Sequence, residues 1–410
     1  MPDRFGLRTA VAAVAGAWLA FLAFLAVVPV ADAVSPVSPV PPSAVGGAQL
    51  SGRGVLVNYP SGAVPRLPAV KASAWVVADA GTGRVLAAKD PHGWYLPAST
   101  LKVLTAISLI PALNPDATTV AGKRAVSVAP SIVGLLPGHA YKISDLFTAL
   151  LTISANDAAV ALTQASGSFG QGMTLINAEA RHLQADDTVA VQPNGLDAAG
   201  QHTSAYDLAL IARRALQMPA FLRYDQVRSA TFPVSAKKSV TLYNQNSLLS
   251  TYRGAVGGKI GWTSAAGATY LGMARRNGVT LIVTLLHCPA LTEIDAAKSL
   301  LDWGFAADGK VRPVGTLVSP LAGPQGAPGS ASASGSGSAS GSGSASGSGS
   351  GSAPAGGVAE AATAPHPAGS GASALAAAAF SGVALVAAGV GFAYSAHFRR
   401  RQRLTPRRRP

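Results

Sequence analysis

One tract of low complexity limits where this chain can build a folded core. From Gly329 to Ser352 the sequence contains only Gly, Ser and Ala. Such a composition cannot bury enough apolar surface to offset the entropy that is lost when the backbone becomes ordered. We therefore predict that residues 323–372 form a flexible, disordered tether, and that the folded part of the chain precedes it.

Two apolar runs lie near the ends of the chain. The first covers 9–30, follows Arg4 and Arg8, and ends at the small-x-small pattern Ala31-Asp32-Ala33, which is typical of a secretory signal peptide. We predict a signal peptide over 1–33. The run is also nearly long enough to serve as an uncleaved membrane anchor, which is the alternative.

The second apolar run, 373–398, contains no Asp, Glu, Lys or Arg and is followed by an arginine cluster that begins at Arg399. It is long enough to cross a bilayer, and arginine next to a span marks the cytoplasmic side. We predict a single-pass membrane protein with a transmembrane helix at 373–398, a cytoplasmic tail at 399–410 and an extracellular domain upstream. A buried helix of a globular core is the alternative.

The formal net charge of +14 does not indicate a nucleic-acid partner. Half of the surplus comes from the arginines after residue 398, and the basic residues of 34–322 are spread without a cluster. Nucleic-acid binding needs a basic patch or stripe, so we predict no such partner. The single cysteine, Cys288, cannot form an internal disulfide, and we expect it to act as a small buried apolar side chain.

Local patterns indicate the fold of the segment between the signal peptide and the tether. Residues 34–67 are rich in Pro, Ser and Gly without periodicity, so we predict a spacer there and a folded domain over 68–322. Two β-like runs, 73–79 and 84–89, indicate a hairpin. The turn residues 276–278 indicate a second hairpin, between 269–275 and 279–286.

Helical patterns lie between and after these hairpins. They predict helices over 99–110 and 143–151, a helix that follows the capping box beginning at Ser204, and a last helix over 294–305. The order of strands, helices and strands predicts an α+β fold. In that fold an antiparallel β-sheet is covered by helices, and the N- and C-terminal strands meet in one sheet.

Ser99 and Lys102 lie at the start of a predicted helix, where a spacing of three residues puts both side chains on one face. A lysine there can act as a base if burial and a nearby cation lower its pKa. This spacing alone is weak evidence, because Ser235 and Lys238 share it in a strand-like context. In a strand these two side chains would point to opposite faces.

Two further segments carry polar side chains that fit such chemistry. Ser154-Ala155-Asn156 precedes an apolar run, where the two polar residues either cap a helix or carry a proton. Lys259-Ile260-Gly261 precedes the second hairpin, and its lysine is either a fixed cation at a site or a solvated strand residue. Taken singly, each segment favours the structural interpretation.

The order of the three segments is more specific than any one of them. Ser-x-x-Lys, Ser-x-Asn and Lys-x-Gly follow one another as in penicillin-binding proteins and class A β-lactamases. Over about residues 70–305 the chain resembles the D-alanyl-D-alanine carboxypeptidase family of low-molecular-mass penicillin-binding proteins. Further positions that carry this resemblance are Pro97-Ala98, Asn177-Ala178, Asn194-Gly195-Leu196-Asp197, His202 with Ser204 and Asp207, and Asn244-Gln245-Asn246.

The resemblance implies a β-lactamase-like fold with an all-helical subdomain. It also implies an acylated nucleophile at Ser99, its base at Lys102, and a proton relay and substrate contact from Ser154 and Asn156. Lys259 and Gly261 would bind the substrate's end. Peptidoglycan stem peptides are the implied substrates and β-lactam antibiotics the implied acylating inhibitors, with neither metal nor cofactor.

One position departs from the family, which usually has threonine where this chain has Ile260. Thr263 lies on the same strand face as Gly261, and we hypothesise that its hydroxyl replaces the missing one. Three alternatives remain: a β-lactamase, a D,D-endopeptidase of the same fold, and a non-catalytic cell-wall-binding relative, the last because of Ile260. The C-terminal β-domain common in the family has no counterpart before the tether.

Overall fold

The computed structural model describes residues 44–60 and 64–322. Through Leu321 they belong to one compact unit. The predicted signal peptide, tether, transmembrane helix and basic tail lie outside the described residues. Among the helices of the described ranges, none has both the length and the apolar character that a membrane span requires.

The described residues form the α+β fold that the sequence predicts. The strands are β1 Val55–Val57, β2 Ala74–Asp79, β3 Arg84–Lys89, β4 Thr118–Val120, β5 Ala140–Lys142, β6 Ser229–Ser235, β7 Lys238–Tyr243, β8 Ala255–Thr263, β9 Gly267–Arg276, β10 Val279–Cys288 and β11 Gly315–Thr316. The helices are α1 Leu101–Leu109, α2 Lys123–Val126, α3 Ile143–Thr152, α4 Asn156–Ala165, α5 Phe169–His182, α6 Ala205–Leu216, α7 Pro219–Asp225, α8 Leu248–Thr251 and α9 Glu293–Ala307.

The main sheet is antiparallel and takes strands from both ends of the domain. Its order is β1-β3-β2-β10-β9-β8, and β11 pairs with β3. The pairing of β2 with β10 confirms that N- and C-terminal strands meet in one sheet. The predicted hairpin β9–β10 forms because Asn277 and Gly278 take left-handed φ angles of 49° and 84°, which a tight two-residue turn requires.

Among the helices between β3 and β6, α6 packs on β2, β9 and β10 of this sheet, and α1 is the most deeply buried of the group. Apart from Ser108, every residue of α1 is buried, and α1 contacts α3, α4, α5 and α6. A helix that is buried on all sides lies inside a core rather than on its surface. The predicted capping box also forms, since Ser204 Oγ accepts the backbone N–H of Asp207 at 3.1 Å. The residues around Ser99 are therefore fixed by the centre of the domain.

Two local details differ from the sequence predictions. Part of the expected spacer packs on the domain, because β1 pairs with β3 and Leu50 is fully buried. Ser235 and Lys238 are not on one strand but face each other as partners across the β6–β7 hairpin. The expectation of opposite faces was therefore wrong: cross-strand partners share a face. The turn residues, Ala236 and Lys237, carry no Gly or Asn that would have marked it.

Candidate active site

Ser99 lies on a short 3-10 turn, Ala98–Thr100, that leads into α1. Two glycines hold this turn closely from either side. A Cβ on Gly195 would lie 1.8 Å from the carbonyl oxygen of Ala98, and one on Gly261 would lie 2.6 Å from the backbone nitrogen of Ser99. Real Cβ atoms do not approach so closely, so only glycine fits at either position. The Asn194-Gly195 loop and β8 therefore pack closely against the turn that carries Ser99.

The Lys102 side chain is fully buried directly beneath Ser99. Its Nζ lies 2.8 Å from Ser99 Oγ, 2.7 Å from Asn156 Oδ1 and 2.6 Å from the carbonyl oxygen of Asn194. Burial lowers the pKa of Lys102 well below its usual value, and the positive charge of Lys259 lowers it further. Both effects favour the neutral amine.

The three contacts of Lys102 match a neutral amine. Such an amine has two N–H groups and one lone pair, whereas the amide and carbonyl oxygens of Asn156 and Asn194 are acceptors only. The two N–H groups can serve these acceptors, which leaves the lone pair directed at the hydroxyl of Ser99. This arrangement is suited to removing the proton from Ser99.

Ser154 is held in an unfavourable backbone conformation beside this lysine network. Its φ is 64°, in the left-handed region that costs a non-glycine residue roughly 1–2 kcal/mol. It is 5% exposed, and its Oγ has no hydrogen-bond partner among the described residues. Asn156 begins α4 without a side-chain cap from the preceding Ala155. The capping interpretation of this segment is wrong, because Ala155 holds the N-cap position and no side chain caps α4. Backbone strain and an unpartnered buried hydroxyl are common at functional positions.

Lys259 lies in β8 and is 1% exposed, which excludes the solvated-lysine interpretation. Its Nζ donates to the carbonyl oxygen of Ile260 at 2.8 Å. Burial lowers its pKa to about 7, against the opposing negative charge of Asp225. Lys259 is therefore a buried neighbour of Lys102, and its positive charge, when it is protonated, disfavours protonation of Lys102.

Thr263 already uses its hydroxyl inside the protein. Its Oγ1 donates to Asp197 Oδ1 at 2.9 Å and accepts the backbone N–H of Ala266. Burial raises the pKa of the Asp197 carboxyl. The Asp197 carboxylate thus already occupies the Thr263 hydroxyl that was expected to bind the substrate carboxylate.

Ile260 points away from the nucleophile turn. The side of β8 that carries Gly261 faces Ser99, since a Cβ on Gly261 would meet the Ser99 nitrogen. Neighbouring residues of a strand point to opposite faces, so Ile260 lies on the other one, paired with the buried Tyr270. It is 7% exposed there, and a β-branched apolar residue suits that environment.

Sequence reasoning missed two features of the site. The backbone carbonyl of Asn194 accepts a hydrogen bond from Lys102, and no pattern of side chains in a sequence predicts a contact made by a backbone carbonyl. Asp225, at the end of α7, belongs to no recognisable sequence motif. It accepts a hydrogen bond from Gly258 of β8 because the fold brings the two elements together.

One cluster outside the site has the composition of a metal centre. Ligand atoms of His92, Asp187 and Asp207 lie within 4.8 Å of one another. The atoms already have partners: His92 Nδ1 lies 2.6 Å from Asp187 Oδ2, and Thr188 donates to Asp207 Oδ2 at 2.7 Å. Hydrogen bonding accounts for this cluster without an ion.

Comparison with known proteins agrees with this geometry. Residues 61–289 match the model of the D-alanyl-D-alanine carboxypeptidase family. A D-alanyl-D-alanine carboxypeptidase of Mycobacterium tuberculosis is 39% identical over 255 residues, which cover 60% of this chain and 86% of that protein. A D-alanyl-D-alanine carboxypeptidase of Salmonella typhimurium is 32% identical, over 58% of this chain and 64% of its own length.

Solved structures give the same result for the fold. The crystal structure of D-alanyl-D-alanine carboxypeptidase from Mycobacterium tuberculosis matches with a TM-score of 0.60 and 37% identity, over 63% of this chain and 99% of that one. Penicillin binding protein 6B from Escherichia coli matches with a TM-score of 0.55 and 32% identity, over 61% and 81% of the two chains. The matched segment contains the Ser99 turn, the Ser154 loop and β8, and on this evidence the chain belongs to the D-alanyl-D-alanine carboxypeptidase family of serine peptidases.

Proposed function

We propose that the protein removes the terminal D-alanine from peptidoglycan stem peptides through an acyl-enzyme on Ser99. The observation that carries the proposal is the contact of 2.8 Å between Ser99 Oγ and the buried amine of Lys102. Ser99 is partly exposed, so a substrate can reach its hydroxyl, whereas Lys102 is buried away from solvent. Family membership supports the substrate class.

In the proposed acylation, Lys102 Nζ takes the proton from Ser99 as Oγ attacks the carbonyl carbon of the penultimate D-alanine. The developing oxyanion accepts a hydrogen bond from the backbone N–H of Ser99, in the turn that leads into α1. The peptide C–N bond then breaks, and the leaving D-alanine nitrogen receives the proton. Water hydrolyses the ester, which returns the proton to Ser99 and releases the shortened peptide as a carboxylic acid.

Ser154 is the proposed relay for the proton that reaches the leaving nitrogen. Its buried hydroxyl has no partner within the described ranges of the chain, so it can donate to a substrate atom and accept from a neighbour. Asn156 is the proposed positioning group, since its Oδ1 holds Lys102 and its Nδ2 donates to the carbonyl of Ala129 at 2.8 Å. The strained backbone of Ser154 fits a residue that is kept for chemistry rather than for stability.

Lys259 has two proposed roles. As a cation it attracts the terminal carboxylate of the stem peptide, a task for which Ile260 has no donor and Thr263 has a competing partner. Its charge also disfavours protonation of Lys102. Gly261 of the same strand has no side chain, which lets β8 approach Ser99.

One experiment separates this activity from its alternatives. Full-length protein is incubated with a labelled penicillin and, separately, with a pentapeptide that ends in D-Ala-D-Ala. A carboxypeptidase retains the label and releases D-alanine. Rapid loss of the label as penicilloate would indicate a β-lactamase, and a protein that neither takes the label nor releases D-alanine is a non-catalytic relative. Cleavage of the cross-link in a dimer of stem peptides, without release of D-alanine from the pentapeptide, would indicate an endopeptidase.

We also propose that the domain lies outside the cell and is held at the membrane by 373–398. The proposal rests on the apolar run and its arginine cluster in the sequence. Protease added to intact cells is expected to remove the domain. Survival of the domain until the membrane is broken would contradict this orientation.

A further inference from the structure

Asp225 is a fully buried carboxylate that none of the recognised motifs includes. It ends α7, and its Oδ2 accepts the backbone N–H of Gly258 at 2.8 Å. Its Oδ1 has no hydrogen-bond partner among the described residues. Burying a carboxylate with one oxygen unpaired is costly, so a nearby positive charge or a functional requirement is expected.

The carboxylate lies against the irregular part of β8 that precedes Lys259. The register of β8 with β9 shifts between Ala255 and Gly257, and Gly258 has a φ of 142°. A Cβ on Gly257 would lie 2.1 Å from Asp225 Oδ2, so the glycine leaves room for the carboxylate. Asp225 thereby fixes the backbone on which the Lys259 side chain begins.

The side chains of Asn244 and Asn246 also hydrogen-bond to the backbone at the end of α7 and at the irregular part of β8. Asn244 Nδ2 donates to the backbone carbonyl of Asp225 at 2.9 Å, and Asn246 Nδ2 donates to that of Gly258 at 3.2 Å. Tyr270 donates its hydroxyl proton to Asn246 Oδ1 at 2.8 Å. The end of α7 and the bulge of β8 are thus joined by hydrogen bonds, with the carboxylate between them.

When it is ionised, Asp225 also places a negative charge near the buried Lys259. Burial raises the pKa of Asp225 to about 7, and the Gly258 hydrogen bond and Lys259 oppose that rise. Other titratable groups that interact with this pair include Lys102 on α1, which Lys259 and Asp157 affect, and Tyr270 on β9, whose pKa Asp225 and Glu293 help to raise. Among the charges that act on Lys259, that of Asp225 favours the ammonium form.

We infer that Asp225 is a positioning residue that aims Lys259 through the backbone of Gly257 and Gly258 and places a negative charge near it. This inference deepens the proposed function and rests on it for its effect on catalysis. A protonated Lys259 attracts the carboxylate of the substrate and repels a proton from Lys102. Loss of the Asp225 charge therefore favours the neutral form of both lysines.

The test replaces Asp225 by asparagine, which keeps the size and the acceptor for Gly258 but removes the charge. Lysine side-chain NMR follows the ionisation of Lys259 with pH, independently of any activity. We expect its titration midpoint to fall by about one pH unit in Asp225→Asn, as loss of one nearby opposite charge predicts. An unchanged midpoint would overturn the inference, even if the protein proves to have no peptidase activity.

The pH profile of acylation by penicillin gives the catalytic readout. In Asp225→Asn we expect the alkaline limb to move to lower pH, because Lys259 loses its proton earlier. The acid limb should move to lower pH as well, because Lys259 is still protonated in that range and no carboxylate offsets its repulsion of a proton on Lys102. A profile that is lowered equally at every pH would show that Asp225 acts on the fold alone and would overturn the inference.

A second variant keeps the inference testable if Asp225→Asn does not fold. Gly257→Ala leaves the charge in place but must displace the carboxylate, since the new methyl group would meet Oδ2. We expect a smaller downward shift of the Lys259 midpoint. Gly54→Ala is the matched control, because a Cβ there meets no atom within 4 Å. A Lys259 midpoint in Gly257→Ala equal to that of the control would contradict the inference.

Discussion

The chain contains two serines that precede a lysine by three residues, and the structure places the two pairs in opposite environments. Lys102 is fully buried and contacts Ser99, Asn156 and Asn194. Lys238 is exposed at the start of β7, and the hydroxyl of Ser235 accepts the backbone N–H of Lys237 instead. Identical spacing therefore does not make a base. Burial, a neighbouring cation and carbonyl acceptors give Lys102 the neutral amine that the chemistry needs.

The largest expected effect comes from removing the buried lysine. Lys102→Ala should slow acylation of the protein by penicillin about 10²–10⁴-fold, because a proton-transfer group is lost. Lys238→Ala is the matched control and should acylate at the wild-type rate. Stopped-flow measurement of acylation compares the two variants. Similar losses in both, or no loss in Lys102→Ala, would remove the distinction between the pairs.

The second effect concerns the strained serine beside the buried pair. Ser154→Ala should slow acylation about 10²-fold, since the hydroxyl that relays the proton is gone. Ser154→Gly should be equally slow but no less stable than the alanine variant, because glycine tolerates a φ of 64°. Thermal unfolding and acylation rates are measured for both. Wild-type rates in the two variants would leave Ser154 with a structural role only.

The smallest expected effect on rate comes from restoring the family's threonine. Ile260→Thr should leave acylation by penicillin unchanged, because residue 260 lies on the face of β8 away from Ser99. Stability should fall by about 1–3 kcal/mol as a methyl group is lost and a hydroxyl is buried beside Tyr270. Urea unfolding measures the free energy of unfolding of this variant. Val256→Thr is the control, because Val256 is a half-buried residue of the same strand. A clear gain in acylation would mean that Ile260 limits the enzyme.

Local patterns predicted the elements but not their environments. Ser204 and the Asn277-Gly278 turn act through hydrogen bonds and φ angles within a few residues, so the sequence alone indicates them. The burial of Lys102 depends on Asn156 and Asn194, which lie 54 and 92 residues away along the chain. Its approximate place was available from the family resemblance, whereas its neutral state follows from packing.

Asp225 and the Ser235–Lys238 hairpin show where prediction from sequence fails. Asp225 contacts Gly258, which lies 33 residues away along the chain, and only the docking of α7 on β8 brings them together. The Ala236-Lys237 turn lacks the glycine or asparagine that marks most two-residue hairpins. In both cases tertiary contacts decide the local structure, and no pattern in the sequence reports those contacts.

The central claim is that only the buried pair reacts, and the site of acylation tests it most directly. Full-length protein is treated with penicillin, denatured, digested and analysed by mass spectrometry. We expect one penicilloyl group, on the peptide that contains Ser99. A penicilloyl group on the peptide that contains Ser235, or none on the Ser99 peptide, would contradict the account.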